Sequence, residues 1–226
     1  MKALVLLSGG VDSTTCLAAA KEKYKDVVAL ALYYGQKHSK ELDAAEKVAA
    51  YYNVQLLKLD LTPVFAYSNC SLLEHSTENI PHKSYAEQLK EQHGNPVTTY
   101  VPFRNGVFLS VAASIALAQG CSVVYYGAHA DDAAGSAYPD CSSDFNNKMN
   151  EGIYLGSGRK LQLAAPFVNL SKKDIVALGL QLKVPYELTW SCYCGGDKPC
   201  GTCGTCIDRK AAFAANGVSD PLDYGK

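Results

Sequence analysis

The sequence predicts an α/β fold: a doubly wound, mainly parallel five-stranded sheet with helices on both faces, followed by a short cysteine-rich segment. Three observations predict it. Apolar runs of strand length alternate with helical stretches, the rhythm of a parallel sheet wound with crossover helices. A Ser-Gly-Gly turn directly follows the first apolar run, and four closely spaced cysteines stand near the end.

The bulk properties set limits. At 226 residues, with 48% hydrophobic and 19% charged residues, the chain can build one continuous core and carries no disorder signature. The formal charge is −1 and the three arginines are Arg104, Arg159 and Arg209, so no nucleic-acid partner is expected, since one would demand a basic face. No apolar run reaches the ~20 residues of a membrane span, so no membrane partner is expected either. The chain opens on a strand without a charged leader and cleavage site, which predicts a cytoplasmic location. Nine cysteines in such a chain point to a reducing compartment and to metal or catalytic uses.

Ala3-Leu4-Val5-Leu6-Leu7 reads as a buried parallel strand. Ser8-Gly9-Gly10-Val11-Asp12-Ser13 follows, and its glycines permit a sharp turn and close approach to a ligand. Helix formers lead away from Val11. Strand, glycine turn and helix N-terminus thus aim unpaired N–H groups and a positive dipole end at one point, where phosphate is the usual occupant. A tight turn with a helix cap would use the same residues. Hydroxyls from Ser8 and Ser13 at both ends, and a carboxylate suited to Mg²⁺ at Asp12, favour phosphate. The loop is neither a Walker A motif nor G-x-G-x-x-G.

Asp26 to Tyr34 is the second strand, ending in Gly35-Gln36-Lys37-His38. Ser39 can cap a helix over Lys40 to Tyr52, whose Leu42, Ala45, Val48 and Ala49 form one apolar stripe. Val54 to Leu61 is the third strand. Ligands of such sheets sit beyond the carboxyl ends of the strands. His38 lies there and reads equally as a site residue or a surface residue.

Residues 62–103 break the rhythm. Pro63, Pro81, Pro96 and Pro102 with polar residues between them predict an irregular insertion, a functional loop, lid or subunit contact, with one short helix near Ser84 to Gln92. His75, His82 and His93 stand at no metal-ligand spacing and read as solvated loop histidines.

After Arg104-Asn105, a helix over Gly106 to Gln119 is closed by Gly120. Ser122 to Tyr126 is the fourth strand and runs into Gly127-Ala128-His129-Ala130-Asp131-Asp132, whose paired aspartates fit a Mg²⁺ site or a cap. Ser143 can cap a helix to Leu155, and Leu161 to Phe167 is the fifth strand. Ser171-Lys172-Lys173-Asp174 has capping-box spacing and opens a helix through Leu182, which Pro185 ends.

The last segment reads Cys192-x₇-Cys200-x₂-Cys203-x₂-Cys206, with Cys194 nearby and glycines at 195, 196, 201 and 204 for tight knuckles. Four thiolates suit structural Zn²⁺ in a closed tetrahedral site. An iron–sulfur cluster is the competing reading, although the Cys-Pro that a ferredoxin run needs is absent after Cys206. The predicted division is a nucleotide-binding α/β domain over 1–190, interrupted at 62–103, and a zinc-binding segment over 191–226.

SGGVDS resembles the pyrophosphate-binding loop of the ATP pyrophosphatase (PP-loop) superfamily. With YGQKH, VPFRN, YGAHADD…YPDC and TWSCY…PCGTCGTC, residues 3 to about 213 resemble the 7-cyano-7-deazaguanine synthase family of queuosine biosynthesis. The resemblance implies a PP-loop, adenine-nucleotide-hydrolase-like fold, a homodimer, and ATP, Mg²⁺ and Zn²⁺ as cofactors. It implies an ATP-dependent carbon–nitrogen ligase acting on 7-carboxy-7-deazaguanine and ammonia to give the nitrile. The acid is adenylated, ammonia displaces AMP to give the amide, and a second adenylation with loss of AMP leaves the nitrile.

The implied nucleotide loop is Ser8, Gly9, Gly10, Val11, Asp12, Ser13, Thr14, Thr15, Cys16, Leu17 and Ala18. Implied for catalysis are Asp12 and Ser13 in the loop, Asp132 (or Asp131) with Asp12 on Mg²⁺, Lys172 (or Lys173) as a cation, and Arg104 as a bidentate partner for carboxylate or phosphate. The implied zinc ligands are Cys192, Cys200, Cys203 and Cys206. Cys194 is unexpected, and Ser142 stands after the YPDC cysteine where members more often carry arginine. Two other functions fit less well: a different PP-loop enzyme such as a tRNA thiolase, and a non-catalytic ATP-binding zinc protein.

Overall fold

The computed structural model describes residues 1–93 and 95–225. Five strands, β1 (Lys2–Leu6), β2 (Asp26–Tyr33), β3 (Gln55–Asp60), β4 (Val123–Tyr125) and β5 (Gln162–Ala164), form one sheet in the order β3-β2-β1-β4-β5. Every pairing is parallel. Strand order reverses between β1 and β4, so the chain leaves their carboxyl ends in opposite directions and opens a crevice there.

Period-two alternation assigns the faces. Leu4 stands beside Val28 and Val124 and enters one core cluster, whereas Ala3 and Val5 enter the other. The face below Ala3 and Val5 is covered by α1 (Val11–Lys23), α2 (Lys40–Tyr51), α8 (Lys172–Gln181) and α9 (Gly204–Ala214), which contribute Leu17, Val48, Ile175 and Phe213. The Leu4 face is covered by α3 (Thr62–Phe65), α4 (Tyr85–Gln92), α5 (Arg104–Ala118) and α7 (Ser143–Gly156). A single helical turn, α6 (Ala130–Ala133), follows β4. Among the described residues no helix is long and apolar enough to cross a membrane.

The elements differ from the sequence expectation in specific ways. β5 ends at Ala164, not Phe167, because Pro166 lacks the N–H that a parallel ladder uses. α5 begins at Arg104, two residues early, because its cap comes from outside the local sequence: Asn105 N–H donates to Asp140 Oδ2 at 2.9 Å. Ser142, not Ser143, caps α7, accepting from Phe145 N–H at 3.2 Å. The Ser39 side chain makes no capping bond to α2. The Ser171–Asp174 capping box forms as expected, and a second one, Ser84–Glu87, opens α4. Helices α3, α6 and α9 had no clear sequence signal.

The insertion is part of the core. Lys37 N–H donates to the Leu72 carbonyl at 2.9 Å and Glu74 N–H to the Gly35 carbonyl at 2.7 Å, while Leu72, Leu73, Val97 and Val101 are buried against the sheet.

Candidate active site and metal centre

The turn after β1 is braced by its own hydroxyls. Ser8 N–H donates to Ser13 Oγ at 3.2 Å, the two serine hydroxyls lie 3.1 Å apart, and Ser13 Oγ donates to the Gly10 carbonyl at 3.2 Å. Gly9 has φ +85, and a Cβ there would collide with the backbone of Glu41 and Ala45 in α2. Only glycine fits. No side chain caps α1, whose first N–H groups face the crevice. Trp190 N–H donates to the Gly9 carbonyl at 2.9 Å and ties the turn to the cysteine segment.

Charge gathers beside this turn. The Lys172 ammonium pairs with Asp12 Oδ2, and Lys172 N–H donates to Asp131 Oδ2 at 2.7 Å. The buried His129 places Nε2 3.3 Å from Asp132 Oδ2 and 3.8 Å from Asp12 Oδ2 without a hydrogen bond to either. Burial alone would raise the Asp12 carboxyl, but Lys172 and His129 outweigh it and hold the group below its usual value. Asp12 Oδ1 is buried and has no hydrogen-bond partner among the described residues. A buried ionised oxygen left without a partner is costly unless a ligand completes it.

The opposite wall is aromatic and cationic. Arg104 Nη1 donates to Tyr34 Oη at 3.0 Å, and its guanidinium lies 5.0 Å from the Tyr34 ring centre and 5.8 Å from that of Phe108. Among the described residues no carboxylate lies within ion-pair distance of it. Tyr85 and Tyr193 share a hydrogen bond at 3.0 Å, and the Tyr138 hydroxyl lies 2.6 Å from Thr99 Oγ1. Burial raises all three phenols, so they remain neutral donors. Glu41 and Asp208 complete the lining.

At the foot of the crevice, Cys192, Cys200, Cys203 and Cys206 hold their sulfurs within 4.8 Å of one another. Backbone N–H groups of Cys194 and Cys200 donate to Cys192 Sγ at 3.4 and 3.3 Å. Four mutually close sulfurs fit one tetrahedral ion. The segment is held to the sheet domain by Arg209, 1% exposed, which binds Asp220 bidentately at 2.7 and 3.0 Å and donates to Thr189 Oγ1 and the Tyr186 carbonyl.

A family model described as "Queuosine biosynthesis protein QueC" matches residues 2–217. The chain belongs to the QueC family. Among relatives, the 7-cyano-7-deazaguanine synthase of Archaeoglobus fulgidus is 46% identical over 223 residues, 98% of this chain and 90% of that protein. That of Caldicellulosiruptor bescii is 43% identical over 224 residues, 99% of this chain and 97% of that protein. Among solved structures, the U34-tRNA thiolase NcsA from Methanococcus maripaludis, with its 4Fe–4S cluster, aligns with a TM-score of 0.52 at 17% identity, over 82% of this chain and 58% of that one. That likeness is one of fold.

In this QueC-family chain the crevice brings together Ser8, Gly10, Val11, Asp12, Ser13, Arg104, Asp132 and Lys172. Gly9 is buried under the turn. Thr14, Thr15, Cys16, Leu17 and Ala18 are buried within α1 and do not line the crevice; Thr15 Oγ1 bonds Tyr186 Oη at 2.8 Å. Lys173 is outside the crevice lining, and Asp131 is taken up by the Lys172 backbone. His38 packs beside Trp190, with ring centres 6.4 Å apart. Cys194 is exposed and lies outside the four-sulfur group.

Sequence reasoning missed Glu41, Asn105, Tyr193 and Asp208. Asp208 lines the crevice together with Thr205, three residues earlier on the same face of α9, and no motif in the sequence marks it. Glu41 carried no signal either, since an acidic residue in the first turn of a helix is ordinary.

Proposed function

We propose that this chain is an ATP-dependent carbon–nitrogen ligase that converts 7-carboxy-7-deazaguanine and ammonia into 7-cyano-7-deazaguanine. One observation carries the reading. The open N-terminus of α1, the unpartnered Asp12 oxygen and the Lys172 ammonium converge on one crevice whose far wall holds Arg104 among aromatic rings. Near-full-length similarity to proteins named 7-cyano-7-deazaguanine synthase supports the same reading.

The triphosphate of ATP takes the N–H groups of α1 and the Ser8 and Ser13 hydroxyls, with Lys172 neutralising its charge. Asp12 and Asp132 would hold Mg²⁺, which supplies further charge neutralisation on the phosphates when bound. Arg104 receives the carboxylate of the acid, and Tyr193, Tyr85 and Phe108 flank its flat ring system. The ring edge of a guanine presents N–H donors that the Glu41 carboxylate accepts. So held, a carboxylate oxygen stands against the α-phosphorus; its attack expels pyrophosphate into the loop and leaves an acyl-adenylate. Ammonia adds to the acyl carbon and AMP departs. The amide oxygen repeats the attack on a second ATP, and loss of AMP with two protons from nitrogen leaves the nitrile. Positioning and charge neutralisation account for most of such catalysis.

The four cysteines fit Zn²⁺ as a structural ion that fixes the segment carrying Trp190, Tyr193 and Asp208 against the crevice. A homodimeric assembly, a cytoplasmic location, residues 191–226 as an appendage of one α/β domain, and the absence of a nucleic-acid partner belong to the same reading. The test is direct: ATP, Mg²⁺, ammonium and the acid should yield pyrophosphate, AMP and, by mass spectrometry, the nitrile without added tRNA. Pyrophosphate release that appears only with tRNA would replace this reading with a tRNA-modifying one.

A further inference from the structure

Two residues that the proposed reaction leaves unused stand together on the surface. His82 comes from the insertion and Cys194 from the cysteine segment, 112 residues later by subtraction of their positions. Both are exposed, and their ligand atoms lie within 4.8 Å of each other and of Cys200 Sγ. Cys194 Sγ is 3.7 Å from Cys200 Sγ. His82 Nδ1 is 2.7 Å from Thr202 Oγ1, which lies 3.6 Å from Cys200 Sγ. His82 is thus the exposed loop histidine the sequence suggests, and its ring is also held by the segment it faces.

The inner group is sealed. Cys192 and Cys203 are 0% exposed and Cys206 1%, and Cys200 alone of the four is partly open to solvent. Among the described residues the inner group thus meets solvent at Cys200. Cys200 belongs to both groups, inner and outer. The outer one offers two sulfurs and an imidazole with an open fourth position, a donor set for Zn²⁺ and other soft divalent ions.

We propose that His82, Cys194 and Cys200 form an outer metal site that takes up the incoming divalent ion and passes it to the inner four-cysteine site through the shared Cys200. During the transfer the Cys200–metal bond persists. The bonds to His82 and Cys194 break as those to Cys192, Cys203 and Cys206 form. The three inner thiols release protons to solvent and Cys194 takes one back; no electron moves. Gly195, with φ +66, turns the chain directly after Cys194 and leaves its sulfur facing outward beside Cys200.

This goes beyond the ligase reading and shares with it only the inner ion. The test uses the full-length, zinc-loaded protein under thiol-reducing conditions and follows incorporation of radioactive Zn²⁺. Cys194→Ala and His82→Ala should each slow exchange on the order of 10-fold, with one tightly held zinc per chain and an unchanged far-ultraviolet spectrum. Cys194→His, which restores a ligand, should recover most of the wild-type rate. Equal exchange rates in wild type, Cys194→Ala and His82→Ala would overturn the proposal. So would a loss of bound zinc in Cys194→Ala, which would make Cys194 an inner ligand. A wild type that holds no zinc would instead refute the inner site, and ligase activity is read separately.

Discussion

The turn after β1 and the cysteine segment both gather groups that the chain itself does not satisfy, and they do so in opposite ways. The turn is finished before any ligand arrives. Ser8, Gly10 and Ser13 bond to one another, Gly9 is wedged against α2, and among the described residues the α1 N–H groups and Asp12 Oδ1 are left over. In the cysteine segment the sulfurs have N–H···S contacts, a hydroxyl contact from Thr202 to Cys200, and each other. Four close thiols repel once ionised, so the proposed ion would complete the fold there as much as bind to it. A site for a substrate that comes and goes must stand without it, whereas a site for a permanent ion need not.

The largest expected effect separates the two regions by their dependence on metal. A chelator strong enough to strip the ion removes on the order of 10 kcal/mol of binding free energy from the folded segment. Hydrogen exchange should then show loss of protection in α9 first, with β1 and α1 protected longest. Uniform loss across the sheet and the segment would abolish the distinction.

Arg209 tests whether the segment has a support besides its ion. Replacing it with leucine leaves Asp220, itself 5% exposed on its side chain, buried without its counter-ion, though still bonded by Tyr224 Oη and Leu222 N–H. Removing one partner of such a pair costs about 3–5 kcal/mol. Arg209→Leu should lower the Tm with zinc still bound. A Tm within a degree or so of wild type would mean that the metal alone holds the segment.

At the turn the expectation is reversed. Asp12→Asn keeps a side chain of the same shape beside Lys172 and should lower pyrophosphate release on the order of 10²-fold, as loss of a charge contact in the transition state does. Because Ser8 and Ser13 hold the turn itself, the fall in Tm, which comes from the lost pairing with Lys172, should be smaller than that of Arg209→Leu. A large fall in Tm with activity retained would make Asp12 a structural residue.

Much of the sheet end was legible because its causes are local. Five apolar residues before Ser8 make a strand, Gly9 demands a positive φ, and Ser171 with Asp174 forms a capping box, all within one turn of chain. What was not legible has causes far away in sequence. Asp140 caps α5 from 35 positions downstream and so sets where Arg104 points. The insertion gains order from Lys37–Leu72 and Gly35–Glu74 pairing that no proline count reveals. The same holds for the fifth cysteine. Residues 192 and 194 are two apart and read as equivalent in an extended stretch; their difference arises where Cys192 turns under Trp190, whose Nε1 donates to its carbonyl at 2.8 Å.

The smallest predicted effect lies where the two regions meet, at Glu41. Burial raises its carboxyl to about 7, against the pull of Arg104 and with the aid of negative charge at Cys192. Four thiolates around one divalent ion would keep a net negative charge, so that push would persist with the proposed ion bound. The folded state therefore binds the proton more tightly than the unfolded chain, whose carboxyl sits at the usual 4.5. The stabilisation from this proton is full below about 4.5 and is lost as pH rises through 7. Above that, an ionised Glu41 burdens the fold by about 1–2 kcal/mol once partial solvation is allowed for. Glu41→Gln, neutral at every pH, should match wild type in Tm near pH 4.5 and exceed it at pH 8. The gap should shrink when substrate acid is present, if the ring edge engages the carboxylate and shares its charge. A Tm difference that stays constant from pH 4.5 to 8 would show that Glu41 titrates as an ordinary surface carboxylate, with no link between crevice and cysteine segment at this position.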